Sequence, residues 1–214
     1  MTALLSKQLR LNCHPMTLVF LLAGVFFLIP NYPYTVSFFY VTLGIFFMFM
    51  NAREQRDADF AAILPVRKRD TVKAACLFTA LVELTSLVIA VPFAVLSVRI
   101  NPKGTNLAGL DPNVALFALG LVLFAVFNIV FLPSFYRSGY KVGVSFVKAS
   151  VCVALVVICD VVLPHIPGLG WLDGTDRTSC LRQLPLLAVC AAVYGIVTVL
   201  ACRWSAKRYE KVDL

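Results

Sequence analysis

Long apolar runs alternate with short polar interruptions along this chain, and the runs are too uniform to be single faces of a soluble core. They fall at about residues 16–29, 34–50, 74–98, 114–133, 143–163 and 185–202, with the charges gathered between them. A helix of roughly 20 apolar residues crosses a hydrocarbon core about 30 Å thick, and helices satisfy their own backbone polar groups in lipid. The pattern predicts an all-α, polytopic membrane protein with six transmembrane helices, organised as a single domain over residues 1–214. Proline and glycine mark the breaks: Pro30-Asn31-Tyr32-Pro33, Asn101-Pro102-Lys103-Gly104, Asp111-Pro112-Asn113, and Pro164 with Pro167, Gly168 and Gly170. Proline cannot donate to a helical ladder and restricts the residue before it.

The first run is short. Fourteen α-helical residues rise only about 21 Å. Either it borrows residues from Leu11 onward, or runs one and two form a re-entrant hairpin; both leave the two flanking ends on one side. Lys7 and Arg10 precede it as in a secretory leader, but no small-x-small cleavage site lies near Ile29-Pro30-Asn31, so it reads as an uncleaved anchor. Residues 2–11 (TALLSKQLRL) set four leucines against Ser6, Lys7 and Arg10, the pattern of a short helix lying along the membrane interface.

Composition agrees. Of 214 residues, 60% are hydrophobic and 14% charged, against about a quarter charged in soluble domains, and the mean hydropathy is +0.87. Six spans use about 120 residues and leave about 90 for all loops and tails, too few for a soluble catalytic domain. The net charge of +8 has a topological reading. With both termini cytoplasmic, 15 of the 19 Lys and Arg residues lie inside and only Arg99, Lys103, Arg177 and Arg182 outside, as the positive-inside rule requires. Attraction to the anionic lipid leaflet accounts for this charge without nucleic acid.

Seven cysteines lie mostly within or beside apolar runs, only Cys180 falling in a polar external loop, so they are no disulfide framework. There is no CxxC pair, and His14 and His165 sit at ends of different spans, so zinc spacing is absent. Neither metal nor cofactor is expected.

The loop 51–73 (NAREQRDADFAAILPVRKRDTVK) carries the richest pattern. Phe60, Ile63 and Leu64 share one helical face, Pro65 stops that helix, and a basic cluster follows before Thr71 opens the third span. A short amphipathic helix beneath a membrane can fill a partner's groove while its charges fix register; it can equally be a solvated connector.

Here the residues carry a resemblance. The segment Asp59-Phe60-Ala61-Ala62-Ile63-Leu64-Pro65-Val66-Arg67-Lys68-Arg69, continuing to Ala74, resembles the signature of bacterial ABC-2 type transporter permeases: an acidic residue, Leu-Pro-Val, a basic cluster, then Val-x-Ala. Phe131-Leu132-Pro133-Ser134-Phe135-Tyr136-Arg137-Ser138-Gly139-Tyr140-Lys141 is similar to the family's turn between spans four and five, with Ser138 departing from an expected apolar or aromatic residue. The basic tail Ser205–Leu214 is similar too. The resemblance covers the whole chain.

It implies the permease subunit of an ATP-binding cassette transporter, pairing with itself or a sister permease on two ABC ATPase subunits. Residues 54–64 would be the coupling helix, with Asp59, Phe60, Ile63, Leu64, Pro65 and Arg67 as the ATPase-docking set. The chain has no G-x-x-x-x-G-K-[ST] loop of its own. External loops of about 15 and 20 residues are too short to capture substrate, and the family implication is export from a bacterial cell. The alternative is a non-transporting membrane protein, a sensor or self-protection factor.

An intramembrane enzyme would need clustered buried polar groups, and only Glu83, Asp160 and the shallow Lys148 lie within spans. Asp160 stands three residues from Leu163-Pro164, where it is expected to reach the outer interface. Glu83 is deepest, a candidate intramembrane polar site expected to face the bundle, where it would bond a neighbouring helix, a Ser or Thr being one option, or the other permease protomer, or line a polar path for a cationic substrate. Pro92 is expected to kink the third span.

Overall fold

Helix formation follows the hydropathy pattern, with ends that run further than the apolar windows. A computed structural model describes residues 2–63, 65–100, 106, 108–138 and 141–211. Among them there is no strand. The helices are α1 (Thr2–Lys7), α2 (Pro15–Leu21), α3 (Thr35–Glu54), α4 (Asp57–Ile63), α5 (Lys68–Ile100), α6 (Val114–Arg137), α7 (Val142–Val162) and α8 (Arg177–Tyr209). Five of these, α3 and α5 to α8, are long and apolar enough to cross a membrane, and a sixth crossing exists if the bent N-terminal pair counts as one span. The chain is an all-α polytopic membrane protein. The expected breaks at Asn101–Gly104 and Gly139–Tyr140 lie outside the described residues.

The short first run is lengthened by a change of helix type. After a bend of 97° from residues 2–12, seven α-helical residues give way to a 3₁₀ stretch, Leu22–Leu28. Because a 3₁₀ helix rises about 2.0 Å per residue instead of 1.5 Å, Pro15–Leu28 reaches about 25 Å rather than 21 Å. The segment runs beside α3 from one end to the other. Leu11 O accepts from Asn51 and Gln55 at one end, Thr17 Oγ1 donates to Gly44 O at 2.8 Å midway, and Phe27 packs edge-on against Phe38 near the other. It also lies flush on α5: a Cβ on Gly24 would stand 2.8 Å from Ala90 Cα, so only glycine permits this approach. Ser97 Oγ closes the contact on Phe27 O at 2.6 Å.

Helix α6 is the centre of the bundle. Leu123, Phe124, Phe127, Phe131 and Leu132 on it are fully buried. Phe124, Phe127, Phe131 and Phe135 recur at three- and four-residue spacing, so they share a face, and Phe38 and Phe49 of α3 meet that ladder edge-to-face. Much of the surface of α7 and α8 points outward and is apolar, as lipid-facing helices require. At 33 residues, α5 and α8 are each about 50 Å long and overrun the hydrocarbon core with basic first or last turns. Cys180 therefore lies in the first turn of α8 and not in a loop. Proline does not break these helices: Pro92, Pro133 and Pro185 all sit inside them.

The end of the bundle away from the termini is closed by a hydrogen-bonded loop, and here one expectation is corrected. Asp160 does not reach the interface; it is fully buried. Leu110 N–H donates to its Oδ1 at 3.4 Å, and its Oδ2 faces Gly109, where a Cβ would come within 2.8 Å. Gly109 has φ 149°, a conformation open mainly to glycine. Asp111 N–H donates to Asp173 at 2.8 Å, and Gln183 Nε2 donates to three carbonyls, those of Trp171, Leu172 and Gly174. The loop folds over Asp160, so a carboxylate placed to snorkel instead serves as the loop's internal acceptor.

Candidate functional site

At the end of the bundle that holds both termini, α4 turns away from α3 through an elbow. Arg56 takes φ 51°, a left-handed conformation that ends α3 in a two-residue turn before α4 begins. Helix α4 then starts with Asp57 and Asp59, favourably placed at its positive end. The N-terminal segment holds it. Lys7 Nζ lies 2.5 Å from Asp57 Oδ1, with side chains only 11% and 14% exposed, and 5.3 Å from the centre of the Phe60 ring. Asn12 Nδ2 donates to Gln8 Oε1 at 2.7 Å and to Asp57 Oδ2 at 3.4 Å, so the buried π-helical turn Gln8–Asn12 backs the ion pair.

What this clamp presents is apolar. Phe60 is 51% exposed and Ile63 84% exposed, on a helix well charged at its start. Asp59 is also on the surface. Phe60, Pro65 and Arg67 line one groove of about 870 Å³ together with Leu4, Lys7 and Asp70. Leu64 lies outside the described residues. The structure thus gathers three of the expected docking residues around a groove whose other wall is α1. Sequence reasoning missed Lys7 and Asp57, which set the pose of the helix. Their separation of 50 positions leaves no periodic signal; a lysine in an amphipathic N-terminal helix was the only hint.

The second candidate is within the membrane. Glu83, on α5, is fully buried. Its Oε2 accepts from Asn128 Nδ2 on α6 at 2.9 Å and from the Tyr194 hydroxyl on α8 at 2.7 Å, and Asn128 Nδ2 also reaches Thr198 Oγ1 at 3.3 Å. The partners on the neighbouring helices are thus Asn and Tyr, not a Ser or Thr. Ser86 is instead occupied with the Glu83 backbone carbonyl, at 2.6 Å. One carboxyl oxygen thereby ties three helices, a use of interhelical hydrogen bonding suited to lipid, where apolar contact alone gives little preference. Glu83 Oε1 and Asn128 Oδ1 have no hydrogen-bond partner among the described residues. Among the described residues no three His, Cys, Asp or Glu side chains gather as metal ligands.

Residues 3–210 match the family described as ABC-2 family transporter protein. The chain belongs to the ABC-2 transporter family. No curated protein and no solved structure matches it. As an ABC-2 protein it is a multi-pass membrane subunit, the permease component of an ABC transporter, and not itself the ATPase. Membership implies association with an ABC ATPase.

Proposed function

We propose that this chain is a single-domain permease of a bacterial plasma-membrane ABC exporter, with both termini cytoplasmic and an ABC ATPase docked on α4. Two permeases, identical or sister, rest on two ATPase subunits. The observation that carries this reading is an apolar pair, Phe60 and Ile63, left exposed on a short helix that an almost buried ion pair fixes in place. Ordering an apolar surface in water without covering it is unfavourable, so its clamping makes sense as preorganisation for a partner. The charge bias supports the cytoplasmic assignment. The Glu83 node would pass movement of α5, which begins beside α4, to α6 and α8.

The test is co-purification. Ile63→Asp places a carboxylate where a partner's groove would desolvate it, at a cost of several kcal/mol. Affinity-purified wild type should bring an ABC ATPase from its own cells, and the variant should bring at least tenfold less while inserting normally. Equal recovery would reduce α4 to a connector.

A further inference from the structure

Where the last turns of α8 pass the first turns of α5, a groove of about 450 Å³ opens sideways, walled by Arg69 and Lys73 of α5 and by Leu200, Arg203, Trp204 and Lys207 of α8. The four α8 residues recur at three- and four-residue spacing and share one face. Two of the four cations already have a carboxylate: Arg69 binds Glu210, and Lys73 lies 3.5 Å from Asp70. Arg203 and Lys207 are exposed and pair with no carboxylate among the described residues. The groove is therefore a net cationic mouth, set beside the positive end of the α5 dipole.

Its lower wall changes character with depth. One turn and two turns further along α5, the outward positions after Lys73 are Leu77 and Leu81; on α8 the positions before Arg203 are Leu200 and Ile196, all exposed. Both helices thus switch from basic to apolar over the same stretch, with Trp204 at the boundary, where an indole ring prefers to sit. A soluble anion or an acidic protein surface would use the cations alone. Only an amphiphile uses both halves. We infer that this groove binds an anionic phospholipid, its phosphate held by Arg203 and Lys207 at the mouth and its acyl chains laid along the apolar stripes of α5 and α8. Basic pockets between membrane helices are suited to such headgroups, and each cation near the surface contributes about fivefold in affinity.

The experiment uses the full-length chain in phosphatidylcholine nanodiscs doped with brominated phosphatidylglycerol or brominated phosphatidylcholine. A Trp171→Phe background leaves Trp204 as the sole indole, since the chain has two tryptophans. Quenching should need about tenfold less brominated phosphatidylglycerol than phosphatidylcholine. In Arg203→Gln/Lys207→Gln the preference should fall to about twofold or less, while Arg203→Lys/Lys207→Arg should keep it. A control pair of exposed cations elsewhere, Arg53→Gln/Lys148→Gln, should keep it as well. The inference is overturned if the two lipids quench alike in the wild type, if the preference survives the Gln pair, or if the control pair loses it equally. Loss of the preference on adding inorganic phosphate would assign the mouth to a soluble anion, and shielding of Trp204 from both lipids by added ATPase would assign it to protein docking; either result also overturns it.

Discussion

Helix α4 and the Glu83 node each hold groups in the wrong solvent, and they resolve it in opposite ways. At α4 the misplaced groups are Phe60 and Ile63, apolar side chains at the aqueous end of the bundle that the described residues leave half exposed or more. At the node the misplaced group is a carboxyl deep among apolar helices, and the chain itself supplies Asn128 and Tyr194. The first leaves apolar side chains uncovered by the described residues; the second engages one carboxyl oxygen from within the subunit, at Oε2. Their tolerances to mutation should therefore divide: the node should govern the stability of the isolated chain, and α4 should govern association.

The largest effect on the isolated protein is expected at Glu83. Glu83→Leu removes the acceptor of the Tyr194 hydroxyl and leaves the Asn128 amide only Thr198, and an orphaned buried donor costs about 1–3 kcal/mol. A fall of several degrees in the unfolding temperature of detergent-purified protein should follow, whereas Glu83→Gln keeps an acceptor oxygen and should recover most of it. If Leu melts like wild type, the node ties nothing and the contrast collapses.

A smaller, local effect belongs to Lys7→Ala. Asp57 then loses a nearly buried partner, a change of about 1–3 kcal/mol confined to the clamp. Hydrogen exchange should quicken in residues 2–12 and 57–63 while α5, α6 and α8 stay protected. Uniform loosening of the whole bundle would show that the clamp is not a separate unit.

The loop around Asp111 gives a third, still smaller effect that sets charge against burial. Burial, and then the nearby Asp173, push the Asp111 carboxyl above its ordinary value of 3.8. An acid whose folded pKa is raised favours folding fully below its ordinary pKa and loses that contribution as pH rises through the raised value. Asp111→Asn keeps an oxygen for the Asn106 N–H and cannot ionise. Its stability should therefore improve relative to wild type as pH rises out of the acid range, read as two melting curves that diverge. Parallel curves would mean that Asp111 ionises freely.

The smallest effect is expected where association should suffer most. Ile63→Asp replaces a side chain 84% exposed, so the unfolding free energy of the isolated chain, read by thermal melting, should change by no more than about 0.5 kcal/mol. A larger loss would show that Ile63 packs within the subunit.

Much of this could be read before the fold was known, and the reasons are specific. The runs at 34–50 and 114–133 became α3 and α6 because hydrocarbon leaves an apolar run of that length little choice but helix. The loop 51–73 announced α4 through Phe60 and Ile63 and its stop at Pro65, a local pattern. Glu83 was singled out by depth alone. Its partners were not, since Asn128 and Tyr194 stand 45 and 111 positions away and no spacing rule reaches across three helices. Asp160 misled because distance to the end of a span says nothing about a loop that folds back over it.

The amino-acid sequence by itself determined that this chain lives in a membrane, that its long apolar runs are helical, and the family it joins. All of these rest on transfer free energies and backbone rules that act within a few turns of chain. The tertiary structure alone decided which helix lies at the centre, that a 3₁₀ stretch extends the short first segment, that Lys7 clamps Asp57, and that α5 and α8 share a cationic mouth. Those depend on which surfaces meet, and two helices come together through the shape and hydrogen bonding of residues far apart in sequence, which no local pattern records.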